Sequence, residues 1–209
     1  MNAADLDRSL AHYRALAATY DRKTRRIDAV RERAIEALAL RPGETVLDAA
    51  CGTGWCIPRL GARVGGTGRI LAFDASDTML TLARRRAAPC PVDIFQATAA
   101  EVRLPAPADA VLLSYTHDML RSPRALDNVL SQVKPGARVV ATSTKLYATW
   151  LAPANWYLRW SHRDYITDFE GLEAPWSILA TRLADFRLQT GPFTQHYLAT
   201  GTVRGAQAA

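Results

Sequence analysis

Between Val46 and Gly54 the chain reads Val-Leu-Asp-Ala-Ala-Cys-Gly-Thr-Gly, a stretch that few folds accept. An apolar run closes on an acidic residue, Asp48, and small residues follow at alternate positions: Ala50, Gly52 and Gly54. Residues 55–60 then open a second apolar stretch. A strand, a tight turn and a helix start in that order belong to a parallel sheet, in which the turn brings bare backbone against a ligand. Small side chains are required there because a bulky Cβ would collide with whatever lies across the turn.

The remainder of the chain extends the alternation. Helical spacing over 5–20 and 24–40 stops at Arg41-Pro42-Gly43. Strands are expected at 45–49, 69–73, 92–95, 110–113 and 138–142, with helices at about 55–64, 77–87 and 123–132. Ser122-Pro123 supplies an N-cap and a proline at the first helical position of the last of these. Residues 186–190 and 197–203, around Gly191-Pro192, predict a terminal hairpin. The result is an α/β chain. No repeat or low-complexity linker divides its 209 residues, so a single domain over 1–209 is expected, with N-terminal helices over 1–40 and an aromatic-rich segment over 145–176.

Charge and cysteine content narrow the function classes. The net charge is +6, and Arg22, Lys23, Arg25, Arg26, Arg31 and Arg33 gather in the N-terminal quarter. Such a run reads as a solvated helix face, with peripheral contact to an anionic membrane or an acidic partner as the sharper alternative. It is not interleaved with aromatics and carries no recognition motif, so no nucleic-acid partner is expected. Three cysteines, Cys51, Cys56 and Cys90, are an odd number without metal-ligand spacing. Together with the lack of a secretory pattern or a long apolar run, they predict reduced thiols and a cytoplasmic location.

Asp48 decides what kind of ligand the turn suits. A carboxylate beside the turn repels a pyrophosphate and favours a cation, which speaks against a nicotinamide dinucleotide. Twenty residues beyond Gly54 the second strand ends in Phe73-Asp74-Ala75-Ser76, with Met79 on the following turn. A carboxylate at Asp74 can accept from both hydroxyls of a ribose. The third strand is followed by Gln96-Ala97-Thr98-Ala99-Ala100-Glu101. The fourth ends in Ser114-Tyr115-Thr116-His117, ahead of Pro123-x-Ala125-Leu126 and Val133-Lys134-Pro135-Gly136.

This series resembles the class I methyltransferases that use S-adenosylmethionine, and in particular the branch of ubiquinone/menaquinone-biosynthesis and small bacterial phospholipid N-methyltransferases. The resemblance covers about residues 40–143, with Tyr20-Asp21 similar to a Tyr-Asp pair ahead of that branch's core. It implies a Rossmann-like, seven-stranded, mostly parallel sheet with helices on both faces and an antiparallel last strand. It also implies S-adenosyl-L-methionine as cofactor and S-adenosyl-L-homocysteine as product. By position, Tyr20, Asp48 and the turn Ala50, Cys51, Gly52 and Gly54 would face the methionine part. Asp74 would hold the ribose, Ala75 and Met79 the adenine, Thr98 and Ala99 its edge, and Ser114 and Tyr115 the inner side of the cofactor. Two residues depart from the pattern: Ala50 replaces a glycine, acceptable with a negative φ, and Thr98 replaces an aspartate.

Methyl transfer needs the nucleophile, methyl carbon and sulfur in line, and a base only when the nucleophile arrives protonated. His117, just beyond the fourth strand, is the candidate base, with a structural loop histidine as its alternative. The resemblance implies that the segment after the fifth strand covers the substrate. Tyr13, Tyr115, His117, Trp156, Tyr157, Trp160, Tyr165 and His196 are the candidate substrate contacts, against the simpler reading of a helix packed on the core. No metal site is expected, because His162 and His196 lack a third ligand. The expected activity is methylation of an O or N atom of a small-molecule metabolite. Phospholipid head-group methylation and a non-catalytic cofactor-binding or partner module remain as alternatives.

Overall fold

The computed structural model describes residues 10–11, 13–162 and 169–205. Tyr165, a candidate substrate contact, lies outside them. Seven strands form one sheet: β1 (Thr45–Ala49), β2 (Arg69–Asp74), β3 (Val92–Gln96), β4 (Ala108–Ser114), β5 (Val133–Thr144), β6 (Leu183–Gln189) and β7 (His196–Val203). Their order is β3-β2-β1-β4-β5-β7-β6, and only β7 runs antiparallel to its neighbours. This is the expected Rossmann-like architecture. The order reverses between β1 and β4, which opens a crevice at their C-terminal ends.

Alternation along the strands builds a core on each face of the sheet. Leu47, Leu71, Phe73, Val111, Leu113, Val139 and Ala141 face one side, where helices α6 (Pro123–Leu130) and α8 (Ser177–Arg182) bury Leu126, Val129 and Leu179 on them. Val46, Ile70, Ala72, Leu112 and Val140 face the other. There they meet α2 (Asp28–Ala37), α3 (Ile57–Val64) and α4 (Asp77–Ala83) through Ile35, Ile57, Leu60 and Leu80. Both faces of the central strands are covered, which accounts for the unbroken apolar run Val111-Leu112-Leu113. Each fully buried Leu, Ile or Phe contributes about 1.5–3 kcal/mol, so these layers supply the rigidity that the strand ends inherit.

Two elements differ from the sequence expectation. Among the described residues, the stretch from Ala17 to Ala37 is not one continuous helix but is broken into a 3₁₀ turn (Ala17–Thr19), α1 (Tyr20–Thr24), a second 3₁₀ turn (Arg25–Ile27) and α2. The Thr24 hydroxyl donates to the Tyr20 carbonyl at 2.9 Å, a back-bond that competes with the helical ladder and tightens the chain there. In addition, β5 starts at Val133, ahead of the strand expected from 138, because Val133 pairs with Ala108 across a bulge. The expected capping of α6 is present: the Ser122 hydroxyl accepts from the Ala125 amide at 3.3 Å. The short helix α5 (His117–Leu120) precedes it, and α7 (Ala152–His162) follows β5.

The position of α2 shapes one wall of the crevice. Its last turn is held by Arg138 of β5, which donates to the Leu38 carbonyl at 2.8 Å and to the Glu44 carboxylate. A cation on the carbonyl end of a helix satisfies an orphan acceptor and complements the helix dipole. The clasp fixes the helix against β5 and β4, and thereby fixes the side chains that α2 sends toward the crevice.

Candidate active site

A cavity of about 510 Å³ occupies the crevice, within the range of small-molecule sites. Its walls come from the C-terminal ends of β1, β2, β4 and β5, and the N-terminal helices complete it with Leu10, Tyr13, Tyr20, Thr24, Arg26, Ile27 and Arg31. Of the expected cofactor contacts, Tyr20, Asp48, Ala50, Cys51, Gly52, Asp74, Ala75, Met79, Thr98, Ala99, Ser114 and Tyr115 line it. So do Tyr13 and His117.

The turn after β1 reverses the chain within a few residues while keeping its amides paired to β2. Cys51 N donates to the Phe73 carbonyl, and Gly52 N donates to Asp74 Oδ2, both at 2.9 Å. Ala50, Gly52 and Gly54 all take positive φ, at 52°, 55° and 72°. The expectation of a negative φ at Ala50 is therefore corrected: the reversal follows β1 so closely that the alanine is forced into the left-handed region. An L-residue with a Cβ is disfavoured there by roughly 1–2 kcal/mol.

The two glycines of the turn differ in their use. A Cβ on Gly52 would meet nothing within 4 Å, so the space beside it belongs to the cavity. A Cβ on Gly54 would lie 2.9 Å from Ala83 and Ile57. Gly54 is not among the residues lining the cavity; it lets α4 and α3 close on the turn.

Asp48 is only 2% exposed, and its Oδ2 has no hydrogen-bond partner. Burial, reinforced by the nearby Asp74 charge and opposed by Arg31, pushes its pKa up to about 7. Asp74 accepts from Ser76 N at 2.8 Å as well as from Gly52 N. Burial still raises its pKa, because those amides offset only part of the desolvation. The same burial raises the Cys51 thiol well above its ordinary value and keeps it neutral.

Arg31 was placed on a solvated helix face by its sequence neighbourhood, and the structure reverses that reading. It is 5% exposed and lines the cavity. Its guanidinium carbon lies 5.2 Å from the Trp55 ring centroid and 5.6 Å from that of Tyr115, and its Nη1 reaches Thr24 and Asp28 at 3.4 Å. The signal was present in the spacing: Ile27, Arg31, Ala34, Ile35 and Leu38 form the buried stripe of α2 and the turn before it. A buried, π-flanked guanidinium is a ready partner for a ligand carboxylate.

Other contacts fix the edges of the site. Asp21 accepts from the Thr53 hydroxyl at 2.6 Å and pairs with Arg86, which also donates to the Thr53 carbonyl at 3.1 Å. This latch ties α1 to the glycine turn. At the far edge the Thr98 hydroxyl donates to Glu101 at 2.7 Å, and Glu101 itself lines the cavity. A carboxylate is therefore available there, although position 98 is threonine. Tyr13 packs edge-on against Tyr20 at 6.2 Å, and its phenol is held neutral by burial, with Asp118 and Asp74 adding to the effect. Asp118 also lines the cavity.

The β4 exit is strained. Tyr115 has a φ of 60°, and its amide donates to the Thr142 carbonyl at 2.8 Å. Its hydroxyl meets His196 Nδ1 at 3.2 Å, so His196 reaches the site through Tyr115 and does not itself line the cavity. Backbone strain held by surrounding structure at a cavity wall is characteristic of functional positions.

Trp156, Tyr157 and Trp160 do not cover the cavity. They face solvent, because α7 turns Leu158 inward onto Leu146 and Leu172 and its Asn155 side chain bonds both the amide and the carbonyl of Tyr147. Among the described residues, no group of three His, Cys, Asp or Glu is arranged to hold a metal ion.

Comparison with known proteins agrees with this geometry. Residues 46–136 match the family model described as a methyltransferase domain. A ubiquinone/menaquinone-biosynthesis C-methyltransferase of Bordetella parapertussis is 32% identical over 124 residues, 57% of this chain and 48% of that protein. The chain thus spans about half the length of the curated relatives it matches. Among solved structures, the DhpI–SAM–HEP complex superposes with a TM-score of 0.65 at 19% identity, covering 96% of this chain and 98% of the other. The N-methyltransferase NodS of Bradyrhizobium japonicum, bound to S-adenosylhomocysteine, gives 0.57 at 15% identity, with coverages of 85% and 90%. Residues 46–136 are thus similar to a methyltransferase domain, and the surrounding fold is that of solved methyltransferases.

The strain at Ala50 generates a prediction. Ala50→Gly should stabilise the protein by about 1 kcal/mol, read as a raised urea midpoint with an unchanged m-value. Gly54→Ala should destabilise it by more than that, since its Cβ has no room.

Proposed function

We propose that this chain transfers the methyl group of S-adenosylmethionine to an oxygen or nitrogen atom of a small-molecule acceptor. The observation that carries the reading is the pairing of opposite buried charges in one cavity: Asp48, with an unpartnered oxygen, and Arg31, flanked by two aromatic rings. Together they fit the two ends of an α-amino acid, ammonium on Asp48 and carboxylate on Arg31. Asp74 has lone pairs left for a ribose after accepting from two amides. Glu101 and Thr98 offer polar contacts at the adenine edge, and the open space beside Gly52 admits the ligand backbone.

When bound, the cofactor supplies a sulfonium-activated methyl group that a nucleophile displaces in line. This chain's residues bind, orient and exclude water. The wall formed by Tyr115, Thr116, His117, Ser143 and Thr144 is polar, which suits an acceptor that offers hydrogen-bonding groups. His117, the first residue of α5, lines the cavity, and in this reading it takes the proton from a nucleophile that arrives protonated. The Bordetella relative is named a ubiquinone/menaquinone-biosynthesis C-methyltransferase; the polar wall is the reason for favouring an O or N acceptor in this chain.

Two outcomes test the reading. Because the Asp48 pKa is raised to about 7, the protonated form prevails in the free protein below neutrality. In the free protein Asp48 favours folding at low pH, and that contribution fades as pH rises from the ordinary carboxylate range through 7. Ligand binding runs the other way, since holding an ammonium requires the ionised carboxylate. Calorimetry should show S-adenosylhomocysteine binding about tenfold more weakly at pH 6 than at pH 8, with Asp48→Asn weaker throughout and its pH dependence flattened. Arg31→Ala should weaken S-adenosylhomocysteine by at least about tenfold, the loss of one charge-assisted contact, while leaving methylthioadenosine, which lacks the amino-acid end, nearly unchanged. Equal losses for both ligands would remove Arg31 from the carboxylate role.

A further inference from the structure

Among the described residues, the large hydrophobic side chains left exposed are Trp150, Trp156, Tyr157, Trp160 and Phe193, each more than half exposed. They fall on two segments that touch. The Ala148 amide donates to the Pro192 carbonyl, and the rings of Trp150 and Phe193 meet edge-to-face at 5.5 Å. On α7, Trp156, Tyr157 and Trp160 stand at positions i, i+1 and i+4, with the Tyr157 and Trp160 rings 5.9 Å apart. The helix is inverted relative to an ordinary surface helix: Leu158 and Asn155 pin its inner face, and its aromatic stripe points at water.

Location gives the stripe its meaning. Ser143 and Thr144, the last residues of β5, line the cavity, and the chain leaves them directly into the segment bearing Trp150 and α7. His196, the first residue of β7, pairs with Thr144, so the turn carrying Phe193 sits at the same end of the sheet. That end also carries exposed Arg22, Lys23, Arg25 and Arg26 on the helical segments beside the cavity, and Arg26 lines the cavity itself. Trp and Tyr with flanking arginines are the side chains that settle at a bilayer's polar–apolar boundary. A chain of net charge +6 is attracted there when the lipid is anionic.

We infer that the face formed by Trp150, Trp156, Tyr157, Trp160 and Phe193 docks this chain on the surface of an anionic lipid bilayer, with the cavity end toward the membrane. The stripe lies on a convex helix rather than in a groove, which suits a deformable lipid surface better than the knob of a folded partner. The inference deepens the proposed function, on which it rests, by naming the source of the acceptor: a molecule held at the membrane surface enters the cavity from the docked end. The aromatic rings sink into the interface, while Arg22, Lys23 and Arg25 meet lipid phosphates.

The test uses the full chain with vesicles of phosphatidylcholine, alone or mixed equally with phosphatidylglycerol. The wild-type protein is expected to float with the mixed vesicles, to lose that binding as salt rises, and to show a blue-shifted tryptophan emission. The Trp156→Ala/Tyr157→Ala/Trp160→Ala variant is expected to bind about tenfold more weakly while retaining wild-type affinity for S-adenosylhomocysteine, since none of the three lines the cavity. Phe193→Glu, on the separate hairpin turn, should weaken vesicle binding in the same direction. Absence of wild-type vesicle binding, or equal binding by both variants, overturns the inference. So does wild-type self-association in sedimentation velocity that the triple variant abolishes, which would assign the face to a second copy of the chain. Failure of the wild-type protein to bind S-adenosylhomocysteine strikes instead at the proposed function, whatever the vesicles show.

Discussion

A carboxylate buried at the end of β1 without a partner for one oxygen is the constraint around which this structure is arranged. Removing Asp48 from water costs several kcal/mol when it is ionised, and the protein meets that cost partly by raising its pKa to about 7. The Arg31 charge, sent inward from α2, opposes the rise. Neither group would be tolerated on these terms without the apolar layers on both faces of the sheet, which supply the surplus stability. Opposite charges buried in the walls of one cavity, each fixed by its own strand or helix, hold their places before a ligand arrives.

The backbone shares the work. Ala50, Gly52 and Tyr115 line the cavity and take positive φ, just beyond the two strands that flank the crevice. In each case a hydrogen bond to the neighbouring strand holds the local geometry: Cys51 N and Gly52 N on β2, Tyr115 N on β5. Gly54 serves the same turn from behind, by letting α4 approach. The Asp21 latch to Thr53 and Arg86 extends this framework to the N-terminal helices, so that the segments completing the cavity are tied to the turn they face.

The aromatic segment shows how helical spacing can be legible in a sequence while the orientation of the helix is not. Trp156, Tyr157 and Trp160 have the spacing of one face, and hydrophobicity alone turns such a face inward. Leu158 and the Asn155–Tyr147 hydrogen bonds fix the opposite choice. Aromatics kept in water at the cavity end of the sheet then become a surface with a role of its own.

The sequence by itself determined the fold class and the resemblance to methyltransferases, and it named most of the β1, β2 and β4 residues that line the cavity. Those features follow from local patterns: strand alternation, glycine spacing, and acidic residues placed at the C-terminal ends of strands. It did not determine the sign of φ at Ala50, since that depends on how soon the chain must reverse to keep its bonds with β2. It did not place Arg31, because a charge run looks solvated until the stripe shared with Ile27, Ala34, Ile35 and Leu38 is packed against β4 and β5. Nor did it orient α7, whose two faces were both plausible from spacing. Only the tertiary structure decided these three, because each turns on contacts between segments far apart in the chain.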